Sequence, residues 1–200
     1  MIDASPTPTP APPVDRFWNV PNALTLSRLA LTPVAIVLIE QGYFLGALAV
    51  FAFAALTDAL DGYFARLLNQ STPLGRQLDP LVDKVVVAAL YIELLSIADT
   101  GVRAWMVIVI VARELLIQGL RSHLEGQGQA FGAKFAGKLK TFFQCLSIGA
   151  ILLFLSIGVD GNRLIIRDAL TWTAVVLTIY SGGGYVVAGF SLLKQKRPFP

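Results

Sequence analysis

The sequence contains one cysteine, Cys145, and one histidine, His123. A lone thiol excludes an intrachain disulfide and leaves a Cys-rich zinc site without ligands. Cys145 lies in an apolar run and reads as a small buried hydrophobe. His123 reads as an exposed loop residue rather than a ligand, since a metal-binding histidine ordinarily has a second histidine or a carboxylate beside it. Charge is also scarce. Only 14% of the 200 residues are Asp, Glu, Lys or Arg, against roughly a quarter in a soluble domain. The net charge of +3 is modest, and the basic residues lie between apolar runs rather than on a polar face. That pattern argues against nucleic acid as a partner.

Apolar residues fill the gap, at 55% of the chain. They fall into six segments, about 24–41, 44–67, 80–98, 102–122, 139–158 and 167–192. Each approaches the ~20 residues that a bilayer-spanning helix needs. Short connections predict antiparallel neighbours. The expected fold is therefore an all-α integral membrane protein with six transmembrane helices and a cytoplasm-facing polar site, in one domain over 16–193. Residues 1–15, rich in Pro, Ser and Thr, read as a disordered tail with no secretory-signal pattern. Residues 194–200 read as a basic cytoplasmic tail.

Lys and Arg placement gives the expected orientation. With both termini on one side, that side receives Arg16, Arg28, Arg66, Arg76, Lys84, Arg113, Arg121, Lys134, Lys138, Lys140, Lys194, Lys196 and Arg197. The other side receives Arg103, Arg163 and Arg167. The termini and the basic loops are thus expected in the cytoplasm, with the protein a multi-pass component of the cell (inner) membrane.

Four carboxylates interrupt this apolar pattern: Asp58, Asp61, Asp79 and Asp83. An Asp in a spanning segment costs roughly 2.5–3.5 kcal/mol on insertion scales, so four need a reason. Spacings of three and four put each pair on one helix face. A short connector containing Ser71, Thr72, Pro73 and Gly75 would fold the two helices into a hairpin and bring the pairs to one depth. Crowded carboxylates repel unless cations neutralise them. An all-oxygen donor set suits Mg²⁺ or Mn²⁺, and four carboxylates suit two such ions clamping a diphosphate. Gly62, Ala65 and Gly75 would let a ligand approach the backbone, and Arg66 could hold a phosphate. Taken singly these residues have plainer readings: Asp79 before Pro80 as a helix N-cap, Gly62 as a packing residue, Arg66 as an interfacial anchor.

The full pattern, Asp58-x2-Asp61-Gly62-x2-Ala65-Arg66-x8-Gly75-x3-Asp79-x3-Asp83, resembles the motif of the CDP-alcohol phosphatidyltransferases at all eight positions over 26 residues. The resemblance implies six transmembrane helices, two divalent cations held by Asp58, Asp61, Asp79 and Asp83, and a homodimer among membrane lipids. It implies CDP-diacylglycerol as donor, with the cytidine near Gly62, Ala65, Thr72 and Gly75, and with Arg66, Asn22 and Thr25 close by. Asp83 is the implied general base.

Two further stretches, Pro21-Asn22-Ala23-Leu24-Thr25-Leu26-Ser27-Arg28 and the basic segments around Arg113-Glu114 and Lys138 to Thr141, are similar to the phosphatidylglycerophosphate synthase branch. There the acceptor is sn-glycerol 3-phosphate. Its phosphate would meet Arg113, Arg121, Lys138 and Lys140. Lys138 and Lys140 could instead anchor anionic lipid. An Arg113 with Glu114 pair is not expected, because adjacent helical residues do not face each other, and each should have a partner on another helix. The alternatives are a cardiolipin synthase of this fold, with phosphatidylglycerol as acceptor, and a non-enzymatic divalent-cation transporter using the four Asp residues. Gly182-Gly183-Gly184 reads either as close helix packing or as a break at a dimer interface or lipid cleft.

Overall fold

The computed structural model describes residues 20–68, 73–126 and 135–195, with side chains over 23–57, 80–122 and 137–183. Six helices follow in order: α1 (Val20–Glu40), α2 (Phe44–Leu68), α3 (Pro73–Glu93), α4 (Ala104–Gly126), α5 (Phe135–Ile157) and α6 (Gly161–Gln195). The expected tails lie outside the described residues, apart from the last turn of α6.

Local chemistry sets the described turns. Gly42 closes α1 with φ +77°. Its N–H donates to Ile39 O (2.9 Å), and Tyr43 N–H donates to Leu38 O (2.8 Å). This paired bonding satisfies the last carbonyls of α1 and needs a left-handed residue, which glycine adopts without a Cβ penalty. Asp160 caps α6, its Oδ1 accepting from Arg163 N–H at 3.0 Å, as short polar residues do at helix starts. Between α3 and α4, the chain at Asp99 is held by Arg167 of α6, whose Nη1 donates to the Asp99 carbonyl.

α1 packs on α2 and α3, α2 on α5, α3 on α4 and α5, and α6 on α4 and α5. The centre holds Ile39, Ala47, Leu90, Leu94, Met106, Ile110, Ile148, Ile151, Leu152 and Val175, all buried. Large apolar side chains also point outward, with Ile108 66%, Leu116 67% and Ile165 69% exposed. A soluble fold does not expose such a surface, whereas a lipid-facing one does. Among the described residues, α1, α5 and α6 contain stretches long and apolar enough to cross a membrane: Ala23–Glu40, Gly137–Ile157 and Gly161–Gly183. The protein is a membrane protein. In α2 the apolar run Phe44–Thr57 is followed by Asp58 and Asp61. α3 and α4 carry Asp79, Asp83, Lys84, Arg113, Glu114 and Arg121.

Several expectations are corrected. α3 begins at Pro73, so Pro73 and Gly75 belong to the helix rather than to the connector. A proline is preorganised for a first helical position, and residues 76–79, polar except for Leu78, continue the helix into the apolar run. Pro80 is therefore internal, and Asp79 is not an N-cap. His123 lies in α4, which continues to Gly126, and not in a loop. Cys145 is half-buried because its face of α5 lines a cavity.

Candidate active site

A half-open cavity of about 540 Å³ is lined by α1 to α5, towards the end where α3 and α5 begin and α4 ends. Arg28, Lys84, Arg113, Arg121, Lys138 and Lys140 line it, against the carboxylates Asp83 and Glu114. Six cations over two carboxylates make the described walls strongly positive. Walls of this sign attract anions.

Asp83 projects from α3 with its side chain 38% exposed, and its Oδ1 is ion-paired with Nη1 of the buried Arg28. Arg28 is placed by α1, where its Nη2 lies 3.5 Å from Thr25 Oγ1. Thr25 is buried and does not line the cavity, so it stands behind Arg28. One residue on, Lys84 Nζ donates to Gln118 Oε1 and ties α3 to α4.

Glu114 is the hub of the far wall. Its Oε1 accepts from Lys140 Nζ of α5, and both side chains are almost fully buried. Arg113 Nη1 also donates to Glu114 Oε1 (3.2 Å) and Oε2 (3.4 Å), while Nη2 donates to Ser181 Oγ of α6 (3.1 Å). The adjacent Arg113 and Glu114 thus do pair, contrary to expectation. The long guanidinium stem curls back along the helix, and each residue has a partner on another helix as well. Desolvated charges of this kind are tolerated when paired and hydrogen-bonded. Lys140, held this way, cannot serve as a lipid anchor, whereas Lys138 is exposed. Arg121 lines the cavity with a buried Nε that has no hydrogen-bond partner among the described residues.

Asp58, Asp61, Gly62, Ala65 and Arg66 lie in α2, Gly75 and Asp79 in α3, and Asn22 in α1. Their side chains, and all of Thr72, lie outside the described residues. The helical register keeps Asp58 with Asp61 on one face of α2, and Asp79 with Asp83 on one face of α3. An all-oxygen donor set fits a hard divalent cation, and Asp83, its described member, lines the cavity. Among the described residues there is no cluster of three or more metal-ligating side chains.

Sequence reasoning did not single out Arg28 as the partner of Asp83, nor Lys84, Glu114 and Gln118 as parts of the wall. The signal was there: charged or amide groups inside apolar segments, whose burial cost demands partners.

The family model for CDP-alcohol phosphatidyltransferase matches residues 18–180. The chain is 36% identical over 193 residues to the CDP-diacylglycerol--glycerol-3-phosphate 3-phosphatidyltransferase of Bacillus subtilis, covering 89% of this chain and 98% of that protein. It is 36% identical over 178 residues to the Rickettsia bellii protein of the same name, covering 85% and 94%. A Cereibacter sphaeroides protein of that name is 33% identical over 175 residues, covering 82% and 76%. The match thus runs from the start of α1 into α6, through every helix that lines the cavity, and this chain belongs to the CDP-alcohol phosphatidyltransferase family.

Proposed function

We propose that this protein transfers the phosphatidyl group of CDP-diacylglycerol to sn-glycerol 3-phosphate, giving phosphatidylglycerophosphate and CMP. The observation that carries this reading is the cavity beside Asp83, where Arg113, Arg121, Lys138 and Lys140 gather with Arg28 and Lys84. A phosphate monoester carries about −1.5 to −2 charge at pH 7, and it is the acceptor feature that such a wall suits. The names of the relatives point to the same acceptor.

In this reading Asp58, Asp61, Asp79 and Asp83 hold two divalent cations, Mg²⁺ or Mn²⁺. When bound, these supply charge stabilisation at the diphosphate oxygens. Asn22, Thr25, Gly62, Ala65, Arg66, Thr72 and Gly75 serve the CDP-lipid, Thr25 acting through Arg28. Arg113, Arg121, Lys138 and Lys140 hold the acceptor phosphate and so aim its 1-hydroxyl. Asp83 takes the hydroxyl proton, and Arg28 fixes the orientation of that carboxylate. The acceptor oxygen then bonds to the phosphorus that carries diacylglycerol, and the bond from that phosphorus to CMP breaks. Glu114 keeps Lys140 and Arg113 in place.

The proposal includes six spans, with α2, α3 and α4 crossing the bilayer beside α1, α5 and α6. It places the termini and the site on the cytoplasmic face of the cell membrane, following the Lys and Arg bias. It includes a homodimer, following the family resemblance. The test is an acceptor screen. Purified protein with labelled CDP-diacylglycerol and Mg²⁺ is offered glycerol 3-phosphate, phosphatidylglycerol, inositol phosphate or serine. Glycerol 3-phosphate should give the labelled product. Turnover with phosphatidylglycerol alone would overturn the reading in favour of a cardiolipin synthase.

A further inference from the structure

The chemistry above leaves α6 without a part, since no described residue of α6 lines the cavity. It also leaves Gly182 unexplained. We propose that Gly182 and Ser181 form a cradle that aims the Arg113 guanidinium at the acceptor, making α6 a positioning element of a site that none of its described residues lines. This inference rests on Arg113 serving the acceptor phosphate.

Three observations carry it. A Cβ placed on Gly182 would lie 2.9 Å from Arg113 Cγ, 3.6 Å from its Nε and 3.9 Å from its Cδ. All three nearest atoms belong to that one side chain. A glycine that served only helix packing would instead meet the backbone or several side chains of the neighbouring helix. Second, Ser181, buried beside it, accepts from Arg113 Nη2 at 3.1 Å. Third, the adjacent Gly183 is exposed, and a Cβ there meets nothing within 4 Å. The Arg113 stem therefore lies across the bare backbone at Gly182, with its head held between Ser181 and Glu114.

The position of Cγ is set by χ1, which a helix restricts to few rotamers. A methyl group at Gly182 cannot be accommodated by bending the far end of the side chain. It must turn the stem, and that moves the guanidinium off both acceptors. The lost aim should appear in acceptor binding and not in donor binding, because the CDP-lipid residues that fall in described helices lie on α1, α2 and α3.

The experiment compares Gly182→Ala, Gly183→Ala, Arg113→Ala and the double variant Gly182→Ala with Arg113→Ala, each checked for thermal stability in detergent. Gly182→Ala should raise the KM for glycerol 3-phosphate about 10-fold, the scale of one charged hydrogen bond, and leave the KM for CDP-diacylglycerol unchanged. Gly183→Ala should match wild type. In the Arg113→Ala background, which has no Cγ to displace, Gly182→Ala should add nothing. A wild-type acceptor KM in Gly182→Ala, or an undiminished effect in the double variant, would overturn the cradle while leaving the acceptor site standing. A wild-type acceptor KM in Arg113→Ala would overturn the acceptor assignment itself and the cradle with it.

Discussion

Replacing Glu114 by Leu tests the energetic logic of the cavity wall. The Lys140 side chain is 4% exposed and that of Glu114 7% exposed, so solvent screens their attraction little. Removing the carboxylate strands the Lys140 ammonium in a buried site and takes one of two named acceptors from Arg113. Breaking a buried pair on one side costs about 3–5 kcal/mol. The single variant should lose that much in reversible unfolding of the detergent-purified protein. Lys140→Met should lose less, because Glu114 keeps Arg113. Combining Glu114→Leu with Lys140→Met removes both charges, and an apolar pair of similar volume is often near neutral. At least half of the single-variant loss should return, although acceptor turnover stays low without Lys140. A Glu114→Leu protein within about 1 kcal/mol of wild type would refute the burial argument. So would a double variant as unstable as the sum of its parts.

Three other outcomes follow from the proposed reaction. Asp83→Asn should lower turnover at least ~10²-fold, the lower range for losing a general base, with CDP-lipid affinity largely kept. Asp58→Asn should weaken metal and CDP-lipid binding together, and equal binding losses in both variants would reduce Asp83 to a ligand. Exhaustive chelation should abolish turnover and Mg²⁺ or Mn²⁺ should restore it; full activity after chelation contradicts a metal site. In a Cys145→Ala background, a single cysteine within 127–134 should resist an impermeant thiol reagent applied to intact cells, while one at Gln41 should react. The reverse pattern would invert the topology.

Much of the fold was legible in the apolar runs. Each of the six segments corresponds to one helix, because long apolar stretches with capped ends have little alternative in a bilayer. Boundaries failed where polar residues are helical. The turn holding Arg76 and Asp79 reads as a connector until Pro73 is seen to start the helix. The proposed metal site rests on spacing, on four Asp residues at positions where charge is expensive. Of the proposed acceptor residues, Arg113, Arg121, Lys138 and Lys140 line one cavity. What spacing could not give is pairing across helices. Asp83 meets Arg28 from 55 positions away, and Glu114 meets Lys140 from 26 away. Such contacts depend on how the helices are rotated against one another. The Arg113 pairing with Glu114 was misjudged because a Cβ-direction rule ignores how far a guanidinium can fold back. The role of α6 was out of reach for the same reason, since only tertiary packing brings Gly182 onto Arg113.

The proposed reaction is a transfer from CDP-diacylglycerol to the hydroxyl of a phosphorylated acceptor. The direct test supplies sn-glycerol 3-phosphate carrying ¹⁸O in its 1-hydroxyl, with CDP-diacylglycerol and Mg²⁺, and follows both products by mass spectrometry. The account predicts one CMP released for each phosphatidylglycerophosphate formed, with the ¹⁸O retained in the new phosphodiester and absent from CMP. CMP release without a glycerophosphate lipid, or a lipid product lacking the ¹⁸O, would contradict it.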